Sequence, residues 1–62
     1  MHKPEHTVIA WRDGQEVWRS VHPNRDSADM EFDACLEEAR KGRYDEVAQY
    51  NESNVRIRSV PG

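Results

Sequence analysis

Three histidines, His2, His6 and His22, are the residues whose type suits coordination chemistry. Imidazole nitrogen binds copper, nickel and zinc. Asp13-Gly14 separates two strand-like stretches. Folding the chain back at that point gathers all three histidines at the open end of a hairpin. In that register Glu5 faces His22, and Val21 faces His6. His2 also follows the first residue directly, so a free amine, the His2 amide and the His2 ring could together chelate Cu(II). The usual amino-terminal copper motif has histidine third, and this chain has it second. The expected site for a divalent Cu, Ni or Zn ion is therefore His2, His6 and His22, at the surface, weak and dispensable to the fold. The plainer expectation is three exposed histidines that hold nothing.

Covalent and acid–base chemistry have less to work with. The chain contains no G-x-S-x-G, P-loop, C-x-x-C or H-E-x-x-H. Carboxylates are plentiful, but a catalytic pair needs a cleft that drives two pKa values apart. Cys35 could serve as a nucleophile beside a histidine. It falls in the middle of an apolar stripe, where a free thiol behaves as a small hydrophobe. The expectation is a non-enzymatic protein.

That stripe belongs to the segment Asp26 to Lys41, D-S-A-D-M-E-F-D-A-C-L-E-E-A-R-K. Phe32, Cys35, Leu36 and Ala39 recur at i, i+3, i+4 and i+7, one face of a helix, and Ala28 continues it a turn earlier. Asp26 or Ser27 supplies the N-cap. Asp29 and Glu31 suit the positive end of the helix dipole, and Arg40 and Lys41 the negative end. Gly42 offers a left-handed stop.

The hairpin comes first. His6 to Arg12 is β-branched and aromatic, and Gln15 to His22 is its return. Asp13-Gly14 fits a two-residue type I′ turn, with positive φ at both positions. Uninterrupted pairing sets Arg12 opposite Gln15, Ala10 opposite Val17, Ile9 opposite Trp18 and Val8 opposite Arg19. One face is then Val8, Ala10, Val17, Arg19 and Val21. The other is Thr7, Ile9, Trp11, Glu16, Trp18 and Ser20. After Gly42, Glu46 to Tyr50 suggests a short strand. Asn51 to Asn54 is a turn cluster, and Val55 to Val60 alternates as a strand with one buried side. The expected fold class is α+β: a small β-β-α-β(-β) domain over residues 6–60, with a lead-in over residues 1–5. Its antiparallel sheet carries one helix on one face.

One helix covers one sheet face. With the aliphatic face beneath it, Ile9, Trp11 and Trp18 stand outward together. Aromatic residues dominate interface hot spots, so these three are the expected partner-binding residues. A homodimer through that face is the expected assembly.

The succession W-R-D-G-Q-E-V-W, an acidic helix, then G-R-Y-D-E-V resembles small orphan proteins encoded by bacteriophages of actinobacteria. The resemblance spans most of the chain. It implies a hairpin, one helix and a closing strand or two, in a small intracellular accessory protein with no assigned activity; a host protein is the further expected partner of the homodimer. It carries over no functional residues.

Composition bounds the remaining classes. Sixty-two residues with one cysteine allow no internal disulfide, which fits a reducing cytoplasm. The longest apolar run, Val8 to Trp11, is far short of a membrane span. A net charge of −3 argues against nucleic acid, whose affinity comes from phosphate neutralisation. Arg56 and Arg58 are the nearest approach to a basic patch.

Overall fold

The computed structural model of the chain describes residues 5–61. His2 and the expected lead-in, Glu5 apart, lie outside them. The elements are β1 (His6–Arg12), β2 (Gln15–His22), α1 (Arg25–Arg40), β3 (Glu46–Tyr50) and β4 (Arg56–Pro61). The four strands form one antiparallel sheet in the order β2-β1-β3-β4. This is the expected α+β arrangement, with the apolar stripe of α1 laid on one face.

Local chemistry sets the boundaries. Asp13 (φ 54°) and Gly14 (φ 78°) both occupy the left-handed region, as the two-residue turn requires. The Asp13 N–H donates to Asp45 Oδ2 at 2.6 Å, which ties the turn to the approach of β3. The helix starts at Arg25, one residue earlier than expected, because Asn24 caps it. Asn24 Oδ1 accepts from the Ser27 N–H at 2.9 Å. Neither Asp26 nor Ser27 is the cap. At the other end Gly42 (φ 83°) turns left-handed. The Gly42 N–H donates to the Ala39 carbonyl at 2.9 Å, and the Arg43 N–H donates to the Glu38 carbonyl at 3.1 Å. That pair of bonds is a Schellman motif.

The core consists of Val8, Ala10, Ala28, Phe32, Cys35 and Val47, with Leu36, Ala39 and Tyr44 packed around it. Val8 and Ala10 come from β1 and Val47 from β3, so the two central strands carry the sheet's share.

Both edge strands are interrupted by bulges, and these overturn the expected faces. In the hairpin, Trp11 pairs with Glu16 but Ala10 pairs with Trp18, leaving Val17 as the extra residue on β2. One added residue inverts every later side chain, because strand periodicity is two. Trp18 and Ser20 therefore lie on the helix side of the sheet with Val8 and Ala10, Trp18 at the edge and still 44 % exposed. Arg19 and Val21 share the opposite face with Ile9 and Thr7. In β4, Tyr50 pairs with Arg56 but Gln49 pairs with Arg58, leaving Ile57 as the extra residue. Arg56 and Arg58 consequently stand on opposite faces. Bulges on the two outer strands also spoil those edges as templates for further pairing.

Candidate functional site

The helix-free face of the sheet centres on Trp11, Tyr50 and Arg56. Trp11 sits on central β1, directly across from Glu46 of β3. The Arg56 guanidinium from β4 lies 5.4 Å from the Trp11 ring centroid and 5.5 Å from that of Tyr50. Its Nη2 donates to Tyr50 Oη at 2.9 Å and its Nη1 to Glu46 Oε2 at 3.0 Å. The Tyr50 hydroxyl, chiefly, and the Glu46 carboxylate hold this guanidinium even more firmly protonated than usual. Toward β2, Arg19 reaches Glu16 with two bonds, Nε to Oε2 at 3.0 Å and Nη2 to Oε1 at 2.8 Å. The Arg19 hydrogen bond lowers the Glu16 carboxyl below its ordinary range. The bulge brings these two residues, three apart in sequence, onto one face. Ile9 lies between Arg19 and Ala48 across the strands and is only 6 % exposed. The face carries two carboxylates and two guanidinium groups around an aromatic centre.

Of the residues expected to act together, Ile9 and Trp11 remain on this face and Trp18 does not. The Trp18 Nε1–H donates to Glu31 Oε2 of α1 at 3.0 Å. With Glu31, Ala34, Cys35, Glu38 and Tyr44 it lines a groove of about 240 Å³. Cys35 is buried on the floor of this groove. Burial first, then the Glu31 carboxylate, pushes its thiol up to about 12, so it stays protonated at neutral pH.

At the far side of α1, Asp29, Gln49 and Arg58 close a triangle. Gln49 has no exposed surface. Its Nε2 donates to Asp29 Oδ1 at 2.9 Å, and its Oε1 accepts from Arg58 Nε at 2.7 Å. Arg58 Nη2 completes the ring at Asp29 Oδ1, 3.0 Å away, and its guanidinium covers the Phe32 ring at 4.1 Å. The two arginines that might have made one basic strip are thus each engaged within the fold, on different sides.

His6 and His22 are direct cross-strand partners at the open end of the hairpin. The expected offset, with Glu5 opposite His22, is removed by the same bulge. His6 is buried rather than exposed, with its Nε2 3.1 Å from Glu52 Oε2. His22 is half-buried, with its Nε2 2.9 Å from Ser20 Oγ. Among the described residues, no three His, Cys, Asp or Glu side chains converge as a metal-ligand set.

No role attaches to Tyr50 or Glu52 in the sequence, and nothing in it joins Arg19 to Glu16 or Asp29 to Gln49 and Arg58. Nothing local signals them, because each depends on pairing between distant strands or on a bulge. Comparison of the chain with protein-family models, curated proteins and solved structures returns no match.

Proposed function

We infer that the chain is a small, non-enzymatic protein-binding accessory protein that acts as a homodimer through its helix-free sheet face. The observation that carries this reading is the Trp11–Arg56–Tyr50 cluster, standing on a face that no element among the described residues covers. Tryptophan, tyrosine and arginine are the residue types that dominate interface energetics. Trp18 is replaced in this role by Tyr50 and Arg56.

Charge favours a second copy as the occupant. The helix carries six acidic against two basic side chains, so two helical faces would repel. The open face, with Glu16 and Glu46 against Arg19 and Arg56, is balanced and can meet its own image about a two-fold axis. The bulged edges favour the face over edge-to-edge pairing. On the resemblance to phage-encoded orphan proteins, the dimer would then dock on a host protein in the cytoplasm. No helix among the described residues is long and apolar enough to cross a membrane.

Sedimentation equilibrium at micromolar concentration tests the assembly. The wild-type chain should run as a dimer, Trp11→Ala and Arg56→Ala as monomers, and Trp18→Ala as a dimer. A monomer mass for the wild type sinks the reading. A dimer lost in Trp18→Ala but kept in Trp11→Ala would move the interface to the helix side.

A further inference from the structure

The groove between β2 and α1 holds a negative charge that the fold leaves unanswered. Three carboxylates of α1 are half-buried: Asp29, Glu31 and Glu38. Asp29 meets Arg58 at 3.0 Å and Arg25 at 3.9 Å. Glu38 meets Lys41 and Arg43, each at 3.5 Å. Glu31 pairs with no lysine, arginine or histidine among the described residues. Its Oε2 accepts from the Trp18 Nε1–H at 3.0 Å and from Cys35 Sγ at 3.6 Å. Its Oε1 accepts no hydrogen bond from those residues and stays open to solvent. A carboxylate anchored at one oxygen presents the other at a fixed point.

A partly buried charge without a counter-ion costs free energy that a cation arriving from outside recovers. The surroundings suit a flat organic cation. Trp18, 44 % exposed, and Tyr44 line the groove beside Glu31, and aromatic rings are surfaces on which a guanidinium stacks. None of the lining residues is basic. Burial chiefly, with Cys35, Glu38 and Glu31 adding to it, raises the Tyr44 hydroxyl above its ordinary value. The field that opposes a further anion here favours a cation. Glu38 stands seven residues on, about 10 Å along the helix axis, and keeps its own cations, so Glu31 is the anchor. We propose that this groove takes the side chain of an arginine on a partner protein, its guanidinium donating to Glu31 Oε1 and stacking on Trp18 and Tyr44. The volume of about 240 Å³ admits one long side chain and no folded element. Lysine fits less well, because its strongly hydrated ammonium carries three donors and Glu31 offers it one free oxygen. The proposal rests on the reading of the chain as a protein-binding one, but not on the dimer. The groove and the Trp11–Arg56–Tyr50 cluster lie on opposite faces of the sheet.

N-acetyl-arginine N-methylamide, a blocked arginine, tests this by NMR on the isotope-labelled full chain. The Trp18 indole N–H signal, identified by its loss in Trp18→Ala, should shift saturably. The citrulline counterpart, similar in shape but uncharged, should leave it in place, and the lysine counterpart should bind more weakly. Glu31→Gln should weaken arginine binding about tenfold, as loss of a charge-assisted hydrogen bond does. Glu37→Gln, at an exposed carboxylate outside the groove, should change nothing. Trp11→Ala should bind arginine as the wild type does, which keeps this test apart from the dimer's. Comparing the three probes on the wild type decides the matter if Glu31→Gln fails to fold. A wild-type chain that dimerises but ignores arginine loses this proposal alone. Equal shifts from citrulline, lysine binding as tightly as arginine, or shifts confined to Trp11 overturn it too. So does binding unchanged in a folded Glu31→Gln, or lost in Glu37→Gln or Trp11→Ala.

Discussion

The Gln49 side-chain amide, wholly buried, donates to the Asp29 carboxylate at 2.9 Å across the interface between β3 and α1. This bond is the main cause that holds the Asp29 carboxyl below its ordinary range, with Arg58, Arg25 and His6 adding to it. The folded-state pKa therefore lies under that of the unfolded chain, about 3.9. The stabilisation from Asp29 is complete above the unfolded value and is lost as pH falls through the folded one. Asp29→Asn should melt below wild type from neutral pH down to about pH 5, and the gap should close in stronger acid. A gap that stays constant into strong acid would show that the carboxylate charge is not what matters.

Arg56 and Arg58 should separate in a stability measurement. Arg58→Ala leaves the buried Gln49 Oε1 without its donor and uncovers Phe32. Leaving a buried acceptor unsatisfied costs ~1–3 kcal/mol. Arg58→Lys should not restore it, because a lysine ammonium lacks the planar fork. Arg56→Ala removes only exposed contacts and should unfold close to the wild-type denaturant midpoint, compared at concentrations where the wild type is monomeric. Equal losses from the two changes would contradict their placement on opposite faces.

Phe32 and Leu36 share the helix stripe but not the same depth. Phe32 is 2 % exposed at the centre of the core, whereas Leu36 is partly buried beside it. Phe32→Ala should cost ~3–5 kcal/mol, enough to unfold most molecules of a domain this small. Leu36→Ala removes a side chain that is only partly buried and should cost less, ~1–2 kcal/mol. Urea titrations give both values, and a reversed order would mean that the helix is rotated from the position described.

Gly14 tests the hairpin turn. A Cβ at this position meets nothing within 4 Å, so the penalty of a side chain is purely conformational. Left-handed backbone costs an L-residue ~1–2 kcal/mol, and a β-branched one more. Gly14→Val should lower the melting temperature, while Gln15→Val, in extended strand, should leave it nearly unchanged. Matching effects would place the turn elsewhere.

Local chemistry in the sequence determined the elements and their order. The Asp13-Gly14 turn, the stripe from Ala28 to Ala39 and the Gly42 stop each act over a few residues, and each appears where its residues place it. The N-cap fell to Asn24 instead of Asp26 or Ser27, its Oδ1 taking the Ser27 N–H. Tertiary structure alone decided which side chains share a face. A bulge is one residue long and leaves no periodic trace, yet it inverts everything beyond it. Val17 sent Trp18 to the helix side of the sheet and brought His6 opposite His22. Ile57 parted Arg56 from Arg58, giving one to Trp11 and Tyr50 and the other to Gln49 and Phe32. These outcomes rest on the packing of two outer strands against central strands far away in sequence, which no short window of residues contains.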